Sequence, residues 1–233
     1  MNIAIVGYGR MGKAIESIAL ERGHTIAYIN NGTPLDSEQL SACDVAIEFS
    51  RPEVAFSNIT TILELGVPVV SGTTGWLAHK SIADETAVAN STGFIYASNF
   101  SLGVNLFFIA NEKLASLMNA HKAYVPKVHE IHHTGKKDAP SGTAITAAEG
   151  ILPQYPELSG WTMENDVNSL AISAERKDPY CGTHVVSYES EIDTITLAHE
   201  AHNRTGFALG AIIAAEWVPG KEGSFSMRDV LGL

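Results

Sequence analysis

Residues 1–12 read MNIAIVGYGRMG, and residues 13–30 continue KAIESIALERGHTIAYIN. Met1 to Val6 is an almost unbroken apolar run, as a strand buried on both faces of a parallel sheet must be. Gly7-Tyr8-Gly9-Arg10-Met11-Gly12 follows at once, a GxGxxG turn at the strand's end. From Lys13 to Arg22 the apolar residues Ile15, Ile18 and Ala19 recur at helical spacing, Gly23 supplies a stop, and His24 to Asn30 gives a second strand. Strand, glycine turn, helix and strand within about 30 residues make the first half of a dinucleotide-binding α/β unit. Such glycines let the backbone approach a pyrophosphate at a helix N-terminus, where the dipole favours anions. Arg10 adds a cation beside that site.

The acidic residue that ordinarily ends the second strand and holds a ribose 2′-hydroxyl is missing, because the positions read Asn30-Asn31-Gly32. No carboxylate repels a 2′-phosphate, and no Arg or Lys adjoins Asn30 to attract one. Use of both NADH and NADPH is therefore the expectation. Further along, Asp44 to Phe49 reads as a strand, a helix starts near Ser50 with Pro52 in its first turn, and Val67 to Ser71 is another strand. That last strand runs into Gly72-Thr73-Thr74-Gly75, a small-residue loop at a strand C-terminus, where open α/β sheets bind ligands. His79 to Asn90 reads as a helix and GFIYASNFS as a strand running into Ala97-Ser98-Asn99-Phe100. Asn99 offers amide groups to a nicotinamide carboxamide and Phe100 a ring to stack on it, although such residues are more often simply a turn and a core aromatic. Leu102 to Met118 is a long amphipathic segment that leaves this first domain.

From Lys127 the texture changes. KVHEIHHT alternates polar and apolar residues as a half-buried strand does. It opens the stretch EIHHTGKKDAPSGTA, residues 130–144, which packs two histidines, two lysines, an aspartate and a Ser-Gly-Thr turn into fifteen residues. The imidazoles move protons near neutral pH. The ammonium groups, and the amides where a helix enters with Ser141 as N-cap, hold anionic oxygen. Three strand-like runs follow, SLAISAERK, THVVSYES and DTITLAHEA, and suggest a mixed or antiparallel sheet covered by that helix. GFALGAIIAAEW, residues 206–217, is an apolar helix that needs a partner and is expected to return to the first domain. The fold class read from this order is α/β: a Rossmann-like doubly wound parallel sheet, residues 1–125 with 204–233, and a smaller α+β domain with a mixed sheet, residues 126–203.

Composition narrows the function. The 233 residues carry a formal net charge of -11, which argues against a nucleic-acid or anionic-lipid surface. No apolar stretch approaches the roughly 20 residues of a membrane span, and the N-terminus lacks a basic leader. Cys43 and Cys181 form no CxxC pair, so neither a disulfide framework nor a thiolate metal site is suggested, and a cytoplasmic location fits.

Together GYGRMG, GTTG, ASNFS, EIHHTGKKDAPSGTA and the closing GSFSMRDVL resemble, in order and across the whole chain, the 4-hydroxy-tetrahydrodipicolinate reductase family, also called dihydrodipicolinate reductases. The resemblance implies hydride transfer from NADH or NADPH to a cyclic unsaturated imine dicarboxylate in the diaminopimelate route to lysine. It places proton transfer on His132 and Lys136, and substrate binding on His133, Gly142 and Thr143. Cofactor contacts fall on Gly7, Tyr8, Gly9, Arg10, Met11 and Gly12, on Gly72, Thr73 and Thr74, and on Ala97, Ser98, Asn99 and Phe100. The family's acidic ribose contact does not carry over to Asn30. A homotetramer formed through the second domain's sheet is implied as well.

Other readings make different demands. His129, His132 and His133, spaced HxxHH, suggest metal ligands, but adjacent strand residues point to opposite faces and no cysteine or carboxylate cluster completes a site, so no metal is expected. A nucleotide-sensing module without chemistry would not need two histidines and two lysines beside an anion-ready helix. An aspartate dehydrogenase or a related oxidoreductase would share the glycine loops but not HHxxKxDAPSGT.

Overall fold

Residues 1–30 fold as β1 (Asn2–Val6), α1 (Arg10–Glu21) and β2 (Thr25–Asn30). Helix α1 begins three residues before its apolar pattern does, directly after Gly9, because the glycine turn itself bends into the first helical turn. The structure, a computed structural model, describes residues 1–164, 166–203 and 205–233. Two compact units divide the chain, residues 1–101 with 205–233, and residues 102–204.

In the first unit α2 (Ser37–Ser41), β3 (Val45–Glu48), α3 (Pro52–Glu64), β4 (Val69–Ser71), α4 (Lys80–Ala89) and β5 (Gly93–Tyr96) follow in turn. After the second unit the chain returns as α7 (Thr205–Trp217), β11 (Gly223–Phe225) and α8 (Met227–Leu231). The sheet is six-stranded in the order β11-β5-β4-β3-β1-β2, and every pairing is parallel. Its central strands are buried on both faces, which is why they read as continuous apolar runs. One layer contains Ile15, Ile18 and Ala19 of α1 with Ala208, Ala211, Ile212 and Ala215 of α7. The other contains Ala55, Ile59, Ile62 and Leu63 of α3 with Ala83 and Ala87 of α4. At about 1.5–3 kcal/mol for each large side chain buried, these layers hold the sheet between helices. Helix α7 presses so closely that a Cβ on Gly210 would fall 1.7 Å from the Phe100 carbonyl oxygen. Glu216 fixes its far end by accepting from Arg22 Nε and His24 Nε2, both at 2.8 Å.

The second unit contains α5 (Leu102–Met118), β6 (Val125–His132), α6 (Gly142–Ile151), β7 (Trp161–Thr162), β8 (Leu170–Arg176), β9 (Thr183–Glu189) and β10 (Thr194–Glu200). Its sheet runs β10-β9-β6-β8-β7, antiparallel from β10 to β6 and parallel from β6 to β7, the mixed sheet expected. Helices α5 and α6 cover one face, with Phe107, Ala115, Met118, Ala144, Ala147, Ala148 and Ile151 packed on Val128, Ile172, Val186 and Tyr188.

Two expectations shift. Helix α5, read as the exit from the first domain, belongs to the second unit, because its apolar face meets α6 and the mixed sheet; the division falls at residues 101 and 102 rather than 125 and 126. Arg204, where the second sequence boundary falls, lies outside the described residues. The tail after Pro219 supplies β11, an edge strand pairing Ser224 with Phe94.

Candidate active site

Strand β6 alternates, so Val128, Glu130 and His132 share the covered face while Lys127, His129 and Ile131 face away. Near its carboxyl end the covered face therefore changes from apolar to ionisable. Glu130 is fully buried. Its two oxygens accept from the backbone N–H of Ser141, at 3.2 and 3.1 Å, and Oε1 accepts from Arg176 Nη2 at 3.0 Å. Oε2 lies 3.5 Å from His132 Nδ1 and 3.7 Å from His184 Nε2. One carboxylate thus ties the entrance of α6 to the ends of β6, β8 and β9.

Each partner is placed by its own element. Ser141 caps α6, its hydroxyl accepting from the Ala144 N–H at 3.2 Å and lying 3.1 Å from His184 Nε2. Arg176 ends β8 and also donates to the Asp138 carbonyl at 2.6 Å, closing the loop between β6 and α6. The His132 and His184 rings meet edge to face with centroids 5.1 Å apart. Gly182 lets the chain pass close to His132, since a Cβ there would sit 3.1 Å from Nε2.

Electrostatics follow from this packing. Burial pushes the Glu130 carboxyl upward, but the hydrogen bonds from Ser141 and Arg176 outweigh it, and the group lies below the usual carboxylate value. Burial holds His132 below the ordinary imidazole value; Glu130 pulls it back up, while Lys136 and Arg176 push it down. His184 is pressed to about 3, first by burial and then by the charge of His132. His184 is therefore neutral at physiological pH, and its Nε2–H is best directed at Ser141 Oγ and Glu130, because a lone pair there would face the carboxylate. The His132 Nδ1 approach to Glu130 is an electrostatic contact; its geometry is not that of a hydrogen bond.

The sequence candidates separate by position. Lys136 lies in the loop after β6 and donates to Asp138 Oδ2 at 2.9 Å, which holds that carboxyl below its usual value. His133 follows the last residue of β6 and is half-buried. Gly142 opens α6 with empty space where a Cβ would stand, and Thr143 is the next residue of that first turn. All belong to one loop and one helix entrance in the second unit. The HxxHH set does not converge, because His129 turns to the open face and bonds Ser173 Oγ at 2.7 Å. Among the described residues only Glu130, His132 and His184 gather three ligand-type atoms, within 4.8 Å. With Arg176 on Glu130 and the Ser141 amide on both its oxygens, that trio reads as a hydrogen-bonded network. The sequence does not mark Arg176 and His184 as site residues, because they reach the site from β8 and β9; the buried alternation at Glu130 was the one available signal.

In the first unit, a cleft of about 470 Å³ opens at the carboxyl ends of β1, β2 and β3, where the strand order reverses. Gly7, Tyr8 and Gly9 line it with Asn30 to Thr33 and Phe49 to Arg51. Gly7 has φ +96°, and a Cβ there would fall 2.1 Å from the Phe49 carbonyl oxygen. Gly9 starts α1 without a side-chain cap, so the helix presents bare backbone to the cleft. The site fits a dinucleotide phosphate on these grounds.

Behind it Glu48 is fully buried and accepts from Ser50 N (3.0 Å), Ser71 Oγ (2.7 Å), Thr73 Oγ1 (2.9 Å) and the Ser50 hydroxyl. This clasp joins the end of β3 to the Gly72–Thr74 loop and occupies the Thr73 hydroxyl, leaving backbone and exposed Thr74 for a ligand. Tyr8 donates its hydroxyl to Glu16. Arg10, the first residue of α1, is exposed, Met11 is half-buried and Gly12 is buried. Ala97 is half-buried and Ser98 exposed, and Asn99 Oδ1 accepts from the Ser101 N–H. Phe100 is 2% exposed and its ring packs against Phe49, so the ring is a core aromatic and not a surface for stacking.

A doubly wound dinucleotide unit joined to a mixed-sheet unit with a His-Lys-Ser-Gly-Thr site defines a two-part reductase or dehydrogenase. Comparison with known proteins narrows the class: residues 1–100 match the N-terminal part of dihydrodipicolinate reductase and residues 103–231 its C-terminus. The chain belongs to the dihydrodipicolinate reductase family. A 4-hydroxy-tetrahydrodipicolinate reductase of Christiangramia forsetii is 50% identical over 237 residues, 99% of this chain and 98% of its own. One from Neisseria meningitidis serogroup B is 34% identical, over 94% of this chain and 84% of its own. The fold also matches a dipicolinate-bound dihydrodipicolinate reductase from Paenisporosarcina, with TM-score 0.79, 23% identity and 97% of each chain covered. The reaction is reduction of 4-hydroxy-tetrahydrodipicolinate with NADH or NADPH, on the diaminopimelate route to lysine.

Proposed function

We propose that His132 and Lys136 manage the protons of this reduction while His133, Gly142 and Thr143 hold the substrate's carboxylates. The bound nicotinamide supplies the hydride. Reduction of a conjugated imine leaves a position to be protonated, and His132 presents an imidazole whose Nδ1 side is held by Glu130. Lys136, two residues from Asp138, exchanges that carboxylate for one of the substrate's and serves as a second donor. Gly142 and Thr143 add the positive end of α6. The observation that carries this reading is the convergence of Ser141, Arg176, His184 and His132 on the buried Glu130 carboxylate, with the His132 and His184 rings in contact. Turnover followed at 340 nm tests it. His132→Gln is expected to lower kcat by about 100-fold or more with cofactor affinity unchanged, and Lys136→Ala to damage kcat and substrate KM together. Near wild-type turnover in the first variant rejects the role of His132.

The cofactor residues are proposed to act through Gly7 to Gly12, Gly72 to Thr74 and Ala97 to Phe100, largely by backbone. The second unit, which contains residues 126–203, is read as the substrate and oligomerisation domain. A homotetramer through the mixed sheet is supported by its open face, where the small residues Ala171, Ser187 and Thr196 align across strands beside Lys127. Sedimentation of the purified protein at the mass of four chains tests that assembly. Among the described residues no helix is long and apolar enough to cross a membrane. Cytoplasmic residence is the reading we favour, with Cys43 and Cys181 both unpaired.

A further inference from the structure

The nucleotide cleft contains an answer to the question left by Asn30, given that it is the nicotinamide cofactor's site. Asn30 is 4% exposed, and its carboxamide turns inward. Nδ2 donates to Tyr28 Oη (3.1 Å), Thr33 O (2.9 Å) and Thr33 Oγ1 (3.1 Å), and Oδ1 accepts from the Gly32 N–H at 3.1 Å. Both ends of the amide are committed to shaping the turn after β2. The residue standing where a ribose-reading carboxylate would stand is thus a structural brace, its NH2 group committed to the turn and its side chain too buried to meet a 2′-hydroxyl.

The remaining wall has one strong character. Asn31, Gly32, Thr33, Phe49, Ser50, Arg51, Val54 and Asn58 line it together with the glycine turn, and none of these is acidic. Arg51, exposed and immediately before α3, is the only formal charge among the lining residues, and among the described residues it has no ion-pair partner. A hydroxyl gains little from a guanidinium. A phosphomonoester, carrying close to two negative charges at neutral pH, gains a charge-assisted and often bidentate contact.

We infer that the cleft selects a 2′-phosphorylated adenosine, and hence NADPH over NADH, with Arg51 as the residue that reads the phosphate. The absence of a carboxylate removes repulsion, and the inward turn of Asn30 removes the competing contact to an unmodified ribose. Discrimination passes from the end of β2, where the sequence motif looks for it, to the start of α3.

Calorimetric titration of the full chain with 2′,5′-ADP and with 5′-AMP tests this without turnover. The wild type is expected to bind 2′,5′-ADP at least tenfold more tightly. Arg51→Gln is expected to bring the two within about twofold by weakening 2′,5′-ADP alone, and Arg51→Lys to retain an intermediate preference. Thermal melts of both variants establish that they fold. Equal binding, or tighter binding of 5′-AMP, overturns the selectivity; a preference that survives in folded Arg51→Gln overturns the assignment to Arg51. If neither nucleotide binds a protein that still oxidises NADPH, the cleft itself has been misassigned and the inference falls with it.

Discussion

Glu130 Oε2 stands 3.5 Å from His132 Nδ1, two residues along one strand face, inside a site where the carboxylate is fully buried. The pairing opposes burial, which by itself lowers the basicity of His132. Replacing Glu130 with glutamine keeps the shape but removes the field. The His132 value then falls further, so the protonated form is lost at lower pH. The descending limb of the kcat profile in Glu130→Gln is expected to move down by about one pH unit, a tenfold loss on that limb. A limb that stays in place would show that Glu130 serves packing alone.

His184 gives the fold a pH dependence of definite sign. Its folded value, about 3, lies below the 6.5 of an unfolded imidazole, so the unfolded chain binds more protons between them. Its stabilising contribution is complete above pH 6.5 and declines as pH falls toward 3, by about 2 kcal/mol at pH 5. Denaturant melts at pH 7.5 and 5 should show the decline. His184→Gln should flatten it, whatever its effect at pH 7.5.

Gly7 and Gly9 are expected to fail differently. At Gly7 the positive φ and the Phe49 carbonyl leave no room for a methyl, so Gly7→Ala should cost about 2 kcal/mol or more of stability. Gly9 has nothing within 4 Å of a built Cβ, so Gly9→Ala should melt like the wild type and yet bind NADPH at least tenfold more weakly. Differential scanning fluorimetry with and without cofactor reads both.

The Glu48 clasp predicts a coupled loss. Glu48→Ala leaves the buried Ser71 and Thr73 hydroxyls without their acceptor, at about 1–3 kcal/mol for each group left unsatisfied. It also frees the Gly72–Thr74 loop. Lower melting temperature and weaker NADPH binding should appear together, and a change in one alone would separate the clasp from the cofactor loop.

Much of this was legible in the chain. Strands such as Met1–Val6 and helices such as Leu102–Met118 follow from periodicity, a local property that a single segment displays. The same holds for Ser141, whose cap needs only the turn that follows. Helix α5 changed unit because the partner of an amphipathic face lies elsewhere in the chain. The edge strand Gly223–Phe225 was missed because three residues carry too little pattern, and pairing with β5 is what makes them a strand. Phe100 looked available for stacking until its neighbour Phe49 was known.

By itself the sequence determined the doubly wound start, the alternation of β6, the helix entrance at Ser141 and the clustering of His132, His133 and Lys136 in one short stretch, since each is written in residues a few positions apart. Only the tertiary structure decided that Arg176 and His184 join Glu130 from β8 and β9, and that Arg51 shares a cleft wall with Asn31. It also decided that Asn30 spends its amide inward. Those contacts depend on strand order and register, which bring distant residues within hydrogen-bonding reach and which no local pattern encodes.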